Sequence, residues 1–515
     1  MARFETDFDD GECRISERPH PCAIVIFGAS GDLSSRKLFP ALARLYANGD
    51  LPENFAIVGA ARTSMNSEEF REKVHDWLKK SGELATIDWS DFSSRVHYFS
   101  MEYAGLGGYL ELARFIAGVE ARQELPGNRM FYLAIPPTLY ESVSGMLGAA
   151  GLSGKRVEET WTRIVVEKPF GRDLASAREL DAAMHQHFKE EQIFRIDHYL
   201  AKETVQNVLL FRFANAVFEP VWNRNFVDYV SIVAAEELGV EHRAGYYEEA
   251  GVLRDMFQNH MMQLLSLAAM EPPSVFRARE VLDEKTKLFK SLRPFDPEKG
   301  FGQLVLGQYA ASEDGRLPAY RDEPGVDKNS VTPTFAMLKT YVDNWRWQGV
   351  PFYICSGKRL AKKITRMVVQ FKEVPHSIYR DIVGEHIMAN RLIMEVYPSE
   401  SIHMTLQAKK SGEGFCLRTA SMSFNFKEGF TGPPVDSYEK VLVDCMLGDH
   451  MLFWRQDGVE LAWSYLTPLL EMCGQAGEME KNLNFYPAGS WGPRDAKMVH
   501  LNYLKDVLIH ERRKA

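Results

Sequence analysis

The sequence predicts an α/β fold followed by an α+β fold: an N-terminal Rossmann-like doubly wound parallel sheet, then a C-terminal domain with a large antiparallel sheet and helices. Two observations predict this order. Short apolar runs alternate with helical patterns in the first half, which is typical of doubly wound parallel sheets. After about residue 198 the alternation stops, and strand patterns with a period of two residues dominate. We therefore predict two domains, 1–197 and 198–515.

Length and composition limit the class of protein. A chain of 515 residues is too long for one ordinary core, and 45% hydrophobic with 25% charged residues is typical of a soluble globular protein. The formal net charge of −9 argues against bulk binding of nucleic acid or of an anionic membrane. Six cysteines without a C-x-x-C pair favour reduced thiols over a disulfide framework or a zinc site. The polar, acidic N-terminus and the absence of a long apolar run predict a cytoplasmic location.

The first predicted strand, Cys22–Phe27, is a continuous apolar run, as expected for a buried parallel strand. A helix is expected over 36–46, and between the two lies Gly28-Ala29-Ser30-Gly31-Asp32-Leu33. This order of strand, glycine turn and helix indicates a dinucleotide-binding site. Gly28 permits the tight turn, and Gly31 lets the backbone approach a pyrophosphate at the helix N-terminus. Ser34 stands where the usual fingerprint has its third glycine, so a plain turn is the alternative.

The second strand, expected at 55–58, bears on the choice of cofactor. An NAD-specific site would place Asp or Glu near its end to bind the ribose 2′-hydroxyl, and neither occurs between Ala56 and Asn66. Arg62 does occur there, followed by Thr63 and Ser64. A guanidinium and hydroxyls suit a 2′-phosphate, so the sequence favours NADP. The alternative is an ordinary solvated arginine.

Two more strands are stopped by prolines, and each leaves a polar side chain at its carboxyl end. The strand at 129–135 precedes Pro136 and places Tyr140 near where a nicotinamide would lie. The strand at 163–167 precedes Lys168, whose bond to a proline forces extended backbone and ends the strand. An isolated lysine is usually a surface residue, and that alternative stays open. Helices are expected at 68–80, 109–122 and 174–188, the last with Asp173 as its N-cap.

The strand at 193–196 delivers the densest polar cluster of the chain. Asp197, His198, Tyr199 and Lys202 follow it directly, and a helix begins near Lys202. A phosphate needs cations and hydroxyl or N–H donors, which the last three residues of this cluster supply. Asp197 cannot bind a phosphate, so we expect it to orient or pair with a base. The alternative is a strand-to-helix turn with surface polar residues and a capping acid.

In the second half, His260 is the side chain that could act as a base. It lies four residues from both Met256 and Leu264, on the apolar face of a predicted helix. A partly buried imidazole near a carboxylate suits a general base, although a lone histidine there is more often a satisfied core residue. Strands are expected at 227–235, 366–371, 391–396 and 402–408, and helices at 251–269 and 435–473.

Several of these segments together resemble the glucose-6-phosphate dehydrogenase family. The family's substrate-binding signature matches 195–203, with Ala201 in place of the usual glycine. The resemblance extends from about residue 23 to residue 493, and further family-like segments occur in the family's order, at 28–33, 167–171, 254–260, 350–358 and 490–493.

The resemblance implies roles for individual residues. His260 would be the base and Asp197 its partner. Arg62 would contact the 2′-phosphate of NADP, and Tyr140 would touch the cofactor. Lys168 would bridge substrate and cofactor. The other implied substrate ligands are His198, Tyr199, Lys202, Glu236, Asp255, Lys358 and Lys363. Cys355 replaces an arginine that some family members use for a second, structural NADP site, so we expect no such site.

The resemblance implies oxidation of glucose 6-phosphate to 6-phosphogluconolactone with reduction of NADP, the first step of the oxidative pentose phosphate pathway, and we predict that function. The base removes the hydroxyl proton and NADP takes the hydride, so no metal is needed. The family forms homodimers, and we expect a homodimer or homotetramer. Two alternatives stay open: the same residues acting on another sugar phosphate or with NAD, and a non-catalytic NADP-binding sensor.

Overall fold

The computed structural model describes residues 18–154, 160–296, 298, 300–379, 387–412, 416–426, 436–475 and 477–493. Within these ranges the strands form two sheets, and the strands are numbered in chain order. The charged segment 510–514 and residue 435, the predicted start of a helix, lie outside the described residues.

The first sheet has the doubly wound topology that the sequence predicts. Its strand order is β15-β6-β5-β4-β1-β2-β3, and all its pairings are parallel except that of β15. Strand β1 pairs with β2 on one side and β4 on the other, so the chain order reverses at β1. A crevice for ligands opens at such a reversal, at the carboxyl ends of the strands. The strands are β1 Cys22–Phe27, β2 Phe55–Ala61, β3 Val96–Ser100, β4 Arg129–Leu133, β5 Thr162–Val166, β6 Ile193–Ile196 and β15 Phe453–Trp454.

Helices cover both faces of this sheet, and most of those predicted are present. The helix expected at 36–46 begins as a π-helical turn, Ser34–Leu38, and continues as an α-helix. Asp173 caps the helix predicted at 174–188, because its carboxylate accepts a 2.8 Å hydrogen bond from the Ser176 amide. The helices of the first half are Phe39–Asn48, Ser67–Ser81, Trp89–Ser94, Leu106–Arg122, Tyr140–Ala149, Leu174–His185 and Glu203–Phe213.

The second sheet is large and mainly antiparallel, which confirms the predicted fold class. Its order is β14-β13-β12-β11-β7-β10-β9-β8-β16, and only β7–β10 and β8–β16 are parallel pairs. Four of its strands match predicted segments, and the others contain glycine or polar residues that weaken the pattern. The strands are β7 Val227–Ala235, β8 Leu304–Ala310, β9 Phe335–Tyr341, β10 Pro351–Gly357, β11 Ile364–Phe371, β12 Arg391–Tyr397, β13 Ser401–Lys409, β14 Leu417–Asn425 and β16 Leu483–Pro487.

One predicted helix is wrong. The segment 435–473 is two helices, Ser437–Leu447 and Gln456–Cys473, with β15 between them. Gly448 ends the first helix in the left-handed conformation, with φ of 84°. Phe453 and Trp454 then pair antiparallel with β6 of the first sheet. Periodicity missed this break because apolar residues resume at Met451, soon after Gly448, and the strand is only two residues long.

A continuous apolar core joins the two sheets. It includes Val166 and Ile193 of the first sheet together with Ile232 and Ile354 of the second. The helical stretch formed by Ala244–Val252, Leu253–Met261 and Met262–Ala269 packs in this core. The division at residues 197 and 198 stays a prediction. Within the described residues, none of the helices has the length and apolar character needed to cross a membrane.

Candidate active site

An imidazole–carboxylate pair lies where the first sheet meets the second domain. His260 belongs to the π-helical segment Leu253–Met261, and Asp197 is the first residue after β6. His260 Nδ1 and Asp197 Oδ1 are 2.6 Å apart, and Asp197 also accepts a hydrogen bond from the Tyr199 amide at 2.9 Å. Burial raises the pKa of Asp197, but His260 and these hydrogen bonds lower it further than burial raises it. Asp197 is therefore a carboxylate that accepts the Nδ1 proton, which leaves Nε2 as the basic nitrogen.

The environment keeps the imidazole of His260 neutral. Burial lowers its pKa most strongly, and the nearby Lys168 ammonium lowers it as well. Asp197 raises the pKa, but the net direction is down from the ordinary value of histidine. A neutral imidazole with an unprotonated Nε2 is the form that removes a proton.

Lys168 lies directly beside this base. It follows β5 in the segment Glu167-Lys168-Pro169, and its Nζ is 2.9 Å from His260 Nε2. The same Nζ is 3.1 Å from the Asp255 carbonyl oxygen and 3.3 Å from Asp255 Oδ1. The structure thus brings Lys168 together with two residues that lie 87 and 92 positions later in the sequence.

A second group of charges extends from Asp255. Glu236 follows β7 and Lys358 follows β10, and because these strands are parallel their carboxyl ends are adjacent. Lys358 forms an ion pair with Glu236, and its Nζ is 4.0 Å from Asp255 Oδ2. Burial raises the pKa of Asp255, but Lys168 and Lys358 outweigh it and lower the pKa to about 2. The result is a row of fixed carboxylates and ammoniums that can bind sugar hydroxyls.

One contact in this group is not evident from the sequence. Tyr246 donates a 3.2 Å hydrogen bond to Asp255 Oδ1. Nothing in the sequence distinguishes Tyr246 from the adjacent Tyr247, whose ring is buried in the core of the second sheet.

Lysines gather on the other side of the base. The Tyr199 ring stacks on His260, with centroids 4.2 Å apart and planes at 23°. The Lys202 ammonium lies 4.2 Å from the centroid of the Tyr199 ring. Burial lowers the pKa of Lys202, and repulsion from Lys363 lowers it further. Two ammoniums that repel each other beside a phenol form a suitable site for a phosphate.

His198 has a different environment from Tyr199 and Lys202. Its Nε2 is 3.0 Å from Glu167 Oε2, and its ring packs against Tyr438 with centroids 4.2 Å apart. Tyr132 donates a 2.6 Å hydrogen bond to the same carboxylate. Burial raises the pKa of Glu167, but His198 outweighs it and the net direction is down. His198 Nδ1 is buried and has no hydrogen-bond partner among the described residues, so it is the nitrogen left for a ligand.

Glu167 was not predicted as a site residue. The only signal for it was its place in the motif that contains Lys168.

The loop after β1 fits a dinucleotide. Gly28 has a φ of 77°, and a Cβ there would lie 2.1 Å from the carbonyl oxygen of Ala134. The helix that begins at Ser34 has no side-chain cap, so its N-terminal amides are available to a pyrophosphate. Asp32 is exposed and forms an ion pair with Arg36, while Gly31 is exposed, Leu33 half-buried and Ala29 buried.

The end of β2 fits a phosphate on the ribose. Arg62 is exposed, and the hydroxyls of Ser30 and Thr63 are 3.0 Å apart, which joins this loop to the loop after β1. The cation and these hydroxyls therefore belong to the two adjacent loops that follow the parallel strands β1 and β2. The residues present therefore fit a dinucleotide with a 2′-phosphate.

The structure does not offer Tyr140 to a ligand. Its side chain is completely buried, its hydroxyl donates to the Glu167 carbonyl at 3.0 Å, and it accepts from the Glu167 amide at 3.2 Å. Tyr140 therefore holds the end of β5 in front of Lys168 and has no surface with which to touch a cofactor in this arrangement. Lys363 is exposed at the start of β11, and Cys355 is buried within β10.

Two family models match the chain. "Glucose-6-phosphate dehydrogenase, NAD binding domain" matches residues 25–207, and "Glucose-6-phosphate dehydrogenase, C-terminal domain" matches residues 209–504. Among similar curated proteins, the glucose-6-phosphate 1-dehydrogenase of Aggregatibacter actinomycetemcomitans is 43% identical over 477 residues, covering 92% of this chain and 94% of the relative. That of Bacillus subtilis is 41% identical over 478 residues, covering 92% and 95%.

Solved structures agree with these matches. A glucose-6-phosphate dehydrogenase in complex with its substrate glucose-6-phosphate superposes with a TM-score of 0.84 at 35% identity, covering 96% of this chain and 99% of the other. Glucose-6-phosphate 1-dehydrogenase from Mycobacterium avium superposes with a TM-score of 0.78 at 32% identity, covering 92% and 95%.

Proposed function

The chain belongs to the glucose-6-phosphate dehydrogenase family and oxidises glucose 6-phosphate to 6-phosphogluconolactone, and we propose that it does so with His260 as base and NADP as hydride acceptor. The observation that best supports this assignment is the pair formed by His260 and Asp197 beside Lys168 and Asp255. A neutral imidazole, a fixed carboxylate and an ammonium together suit removal of a hydroxyl proton.

The base acts on the C1 hydroxyl of the sugar. His260 Nε2 removes the hydroxyl proton, and Asp197 stabilises the imidazolium that forms and keeps Nδ1 protonated. Positioned base catalysis of this kind contributes about 10²–10⁴-fold to a rate. NADP, when bound, accepts the hydride at nicotinamide C4.

The charged residues around the base bind the substrate. Tyr199, Lys202 and Lys363 bind the phosphate, and His198 is a further ligand of it in this proposal. Lys168, Glu236, Asp255 and Lys358 bind the sugar hydroxyls. Holding both ends of the substrate fixes C1 beside the base, which lowers the entropic part of the barrier.

The nucleotide-binding residues favour NADP over NAD. Gly28 and Gly31 allow the backbone near the pyrophosphate, together with Ala29, Ser30, Asp32 and Leu33. Arg62 binds the 2′-phosphate with the hydroxyls of Ser30 and Thr63 beside it. The domain 1–197 holds the nucleotide in this proposal, and the domain 198–515 supplies most of the sugar site.

In this proposal the protein forms a homodimer or homotetramer through the outer face of its second sheet, at the edge strand β14. Strand β14 is exposed along most of its length, with Met422 64% and Phe424 43% exposed. An uncovered edge strand with apolar side chains is typically paired or covered in the working assembly. The cytoplasm is the proposed location, because four of the five described cysteines are buried, unpaired thiols.

The experiment that tests the function is an assay of reduced nicotinamide absorbance with glucose 6-phosphate, run with NADP and with NAD. We expect rapid reduction of NADP and much slower reduction of NAD. Arg62→Ala should raise the KM for NADP and leave the KM for NAD unchanged. NADP binding without any turnover would contradict the assignment, and equal use of both cofactors would contradict the role of Arg62.

A further inference from the structure

The nitrogen that must accept the substrate proton already has a hydrogen-bond partner. Asp197 accepts the Nδ1 proton of His260, so Nε2 presents a lone pair. Lys168 Nζ is 2.9 Å from that Nε2. An ammonium has no lone pair, so Lys168 is the donor and the lone pair of the base is occupied.

Lys168 has no donor left over in this arrangement. An ammonium has three N–H groups. Besides His260 Nε2, Nζ is 3.1 Å from the Asp255 carbonyl oxygen and 3.3 Å from Asp255 Oδ1. All three donors therefore face protein atoms. Lys168 cannot donate to a sugar oxygen until one of these contacts breaks.

We propose that Lys168 caps the catalytic base before the sugar binds, and that the C1 hydroxyl displaces it from His260 Nε2. The inference rests on the proposed function. The incoming O–H donates to Nε2 in place of the lysine N–H, so the base keeps one hydrogen bond throughout. The released N–H of Lys168 then becomes available to the sugar, while the two contacts with Asp255 hold the ammonium nearby.

The exchange is selective because only a hydroxyl on C1 reaches the capped nitrogen. A sugar phosphate without that hydroxyl can still fill the phosphate and hydroxyl positions, but it has no donor to replace Lys168. The cap also adds a positive charge beside the imidazole, which opposes its protonation. The cap therefore keeps the base neutral until the correct group arrives.

The other charges around His260 act on it from several directions. Asp197 and Asp255 favour the imidazolium, whereas Lys168 and burial oppose it. The Tyr199 ring stacks on the imidazole and contributes no formal charge. On the helix Ala278–Lys290, the buried Lys285 interacts electrostatically with Asp197. Among these groups only Lys168 contacts Nε2, so its removal should have a distinct effect.

The first test is a titration of His260 in the full-length protein with ¹³C-labelled histidine, without sugar or cofactor. The His260 signal is assigned by its loss in His260→Asn. Lys168→Met should raise the titration midpoint of His260 by about one pH unit, because a contacting like charge is removed. Lys202→Met is the matched control: it removes a nearby ammonium that lies over Tyr199 and does not contact Nε2, and it should move the midpoint much less.

An unchanged midpoint in Lys168→Met, or an equal rise in both variants, would overturn the cap. If Lys168→Met does not fold, Lys168→Gln provides the same comparison, because an amide can donate to Nε2 without a charge. That variant should raise the midpoint also. The titration needs no turnover, so its result is independent of the assay that tests the proposed function.

The second test addresses displacement. Crystal structures of the full chain with glucose 6-phosphate and with 1,5-anhydroglucitol 6-phosphate, which lacks the C1 hydroxyl, give the distance from Lys168 Nζ to His260 Nε2. We expect that distance to exceed about 3.5 Å with glucose 6-phosphate and to stay within hydrogen-bond range with the analogue. A hydrogen bond retained in both complexes, or broken in both, would overturn displacement by the hydroxyl.

Discussion

At the scale of single residues, the reactivity of the site depends on which atom of each side chain is already bonded. Asp197 fixes the tautomer of His260 by accepting at Nδ1, and Glu167 occupies Nε2 of His198. The two histidines are thereby prepared for different tasks. His260 presents Nε2 beside Lys168 and Asp255, whereas His198 has only Nδ1 left for a ligand.

Replacing the base should abolish catalysis and spare binding. His260→Asn keeps a polar side chain that can still bond Asp197 but has no basic nitrogen, so kcat should fall by about 10²–10⁴-fold with little change in substrate affinity. Steady-state kinetics and binding by calorimetry measure the two effects separately. His242→Asn is the control, because that histidine is exposed and should tolerate the change. Near-normal kcat in His260→Asn would contradict the role of the base.

Removing one phosphate-binding cation should affect only phosphorylated substrates. Lys202→Ala should raise the KM for glucose 6-phosphate about 10-fold or more, because a charge-assisted hydrogen bond is lost. The KM for free glucose should not change. Lys189→Ala is the control, since the Lys189 side chain is 73% exposed. An equal loss of affinity for both sugars would show that Lys202 does not bind the phosphate.

At the scale of elements, parallel strands bring the site together. Lys168, Asp197 and Gly28 follow β5, β6 and β1, which belong to one sheet, while Glu236 and Lys358 follow the parallel pair β7 and β10 of the other. In each case the polar residue lies at a carboxyl end, where parallel strands direct their following loops to the same edge. The helical segment that contains His260 packs in the core that the two sheets share.

The turn after β1 should not tolerate a side chain. Gly28→Ala would place a Cβ 2.1 Å from a backbone oxygen of the neighbouring strand end, so the loop must shift and NADP binding should be lost. Gly49→Ala is a closely matched control, because Gly49 has the same φ of 77° with nothing within 4 Å of the added Cβ. It should cost only about 1 kcal/mol of stability. Thermal unfolding and NADP fluorescence titration compare the two, and equal effects would contradict this account.

At the scale of the whole molecule, two separate sheets and one continuous core create a site that neither half contains. Asp197 and Lys168 come from the first sheet, and His260, Asp255 and Lys358 come from the second half of the chain. The distances between these charged side chains therefore depend on how the two halves of the chain pack against each other.

Acid should weaken the folded state through the buried carboxylates. The folded pKa of Asp255 is about 2, below its ordinary value of 3.8. A lowered pKa stabilises the fold above the unfolded value and loses that contribution as pH falls from about 4 to about 2. The contribution is about 2 kcal/mol.

The measurement is the melting temperature of the wild type and of Asp255→Asn at several pH values. The difference between the two melting temperatures should be large near neutral pH and should decrease toward pH 2. A difference in melting temperature that is independent of pH would contradict the predicted link between stability and protonation of Asp255.

The assembly should depend on the exposed edge strand. Met422→Lys places a charge on β14 where an apolar side chain is 64% exposed, so the proposed dimer should dissociate toward monomer in light scattering. Lys409→Glu changes the charge at the end of the neighbouring strand, and it should alter the mass less. An unchanged mass in Met422→Lys would place the interface elsewhere.

The sequence by itself determined the fold class and named most residues of the proposed site. Alternating apolar runs predicted the parallel sheet, because a strand buried on both faces needs continuous apolar residues. Strand ends predicted Lys168 and the polar cluster that begins at Asp197, because ligands bind where parallel strands end. The family resemblance implied His260 as base and the later lysines as ligands. The parallel sheet and the candidate residues could be predicted because they depend on local sequence patterns and on the order of those patterns along the chain.

Only the tertiary structure decided which atoms meet. Local pattern did not reveal that 435–473 contains a strand of the first sheet, that Tyr140 is buried, or that Glu167 holds His198. It also did not reveal that Lys168 contacts the basic nitrogen of His260. These contacts join residues far apart in the chain, and their geometry follows from the packing of two sheets around one core. That packing depends on many contacts between distant parts of the chain, and no local sequence pattern reveals them.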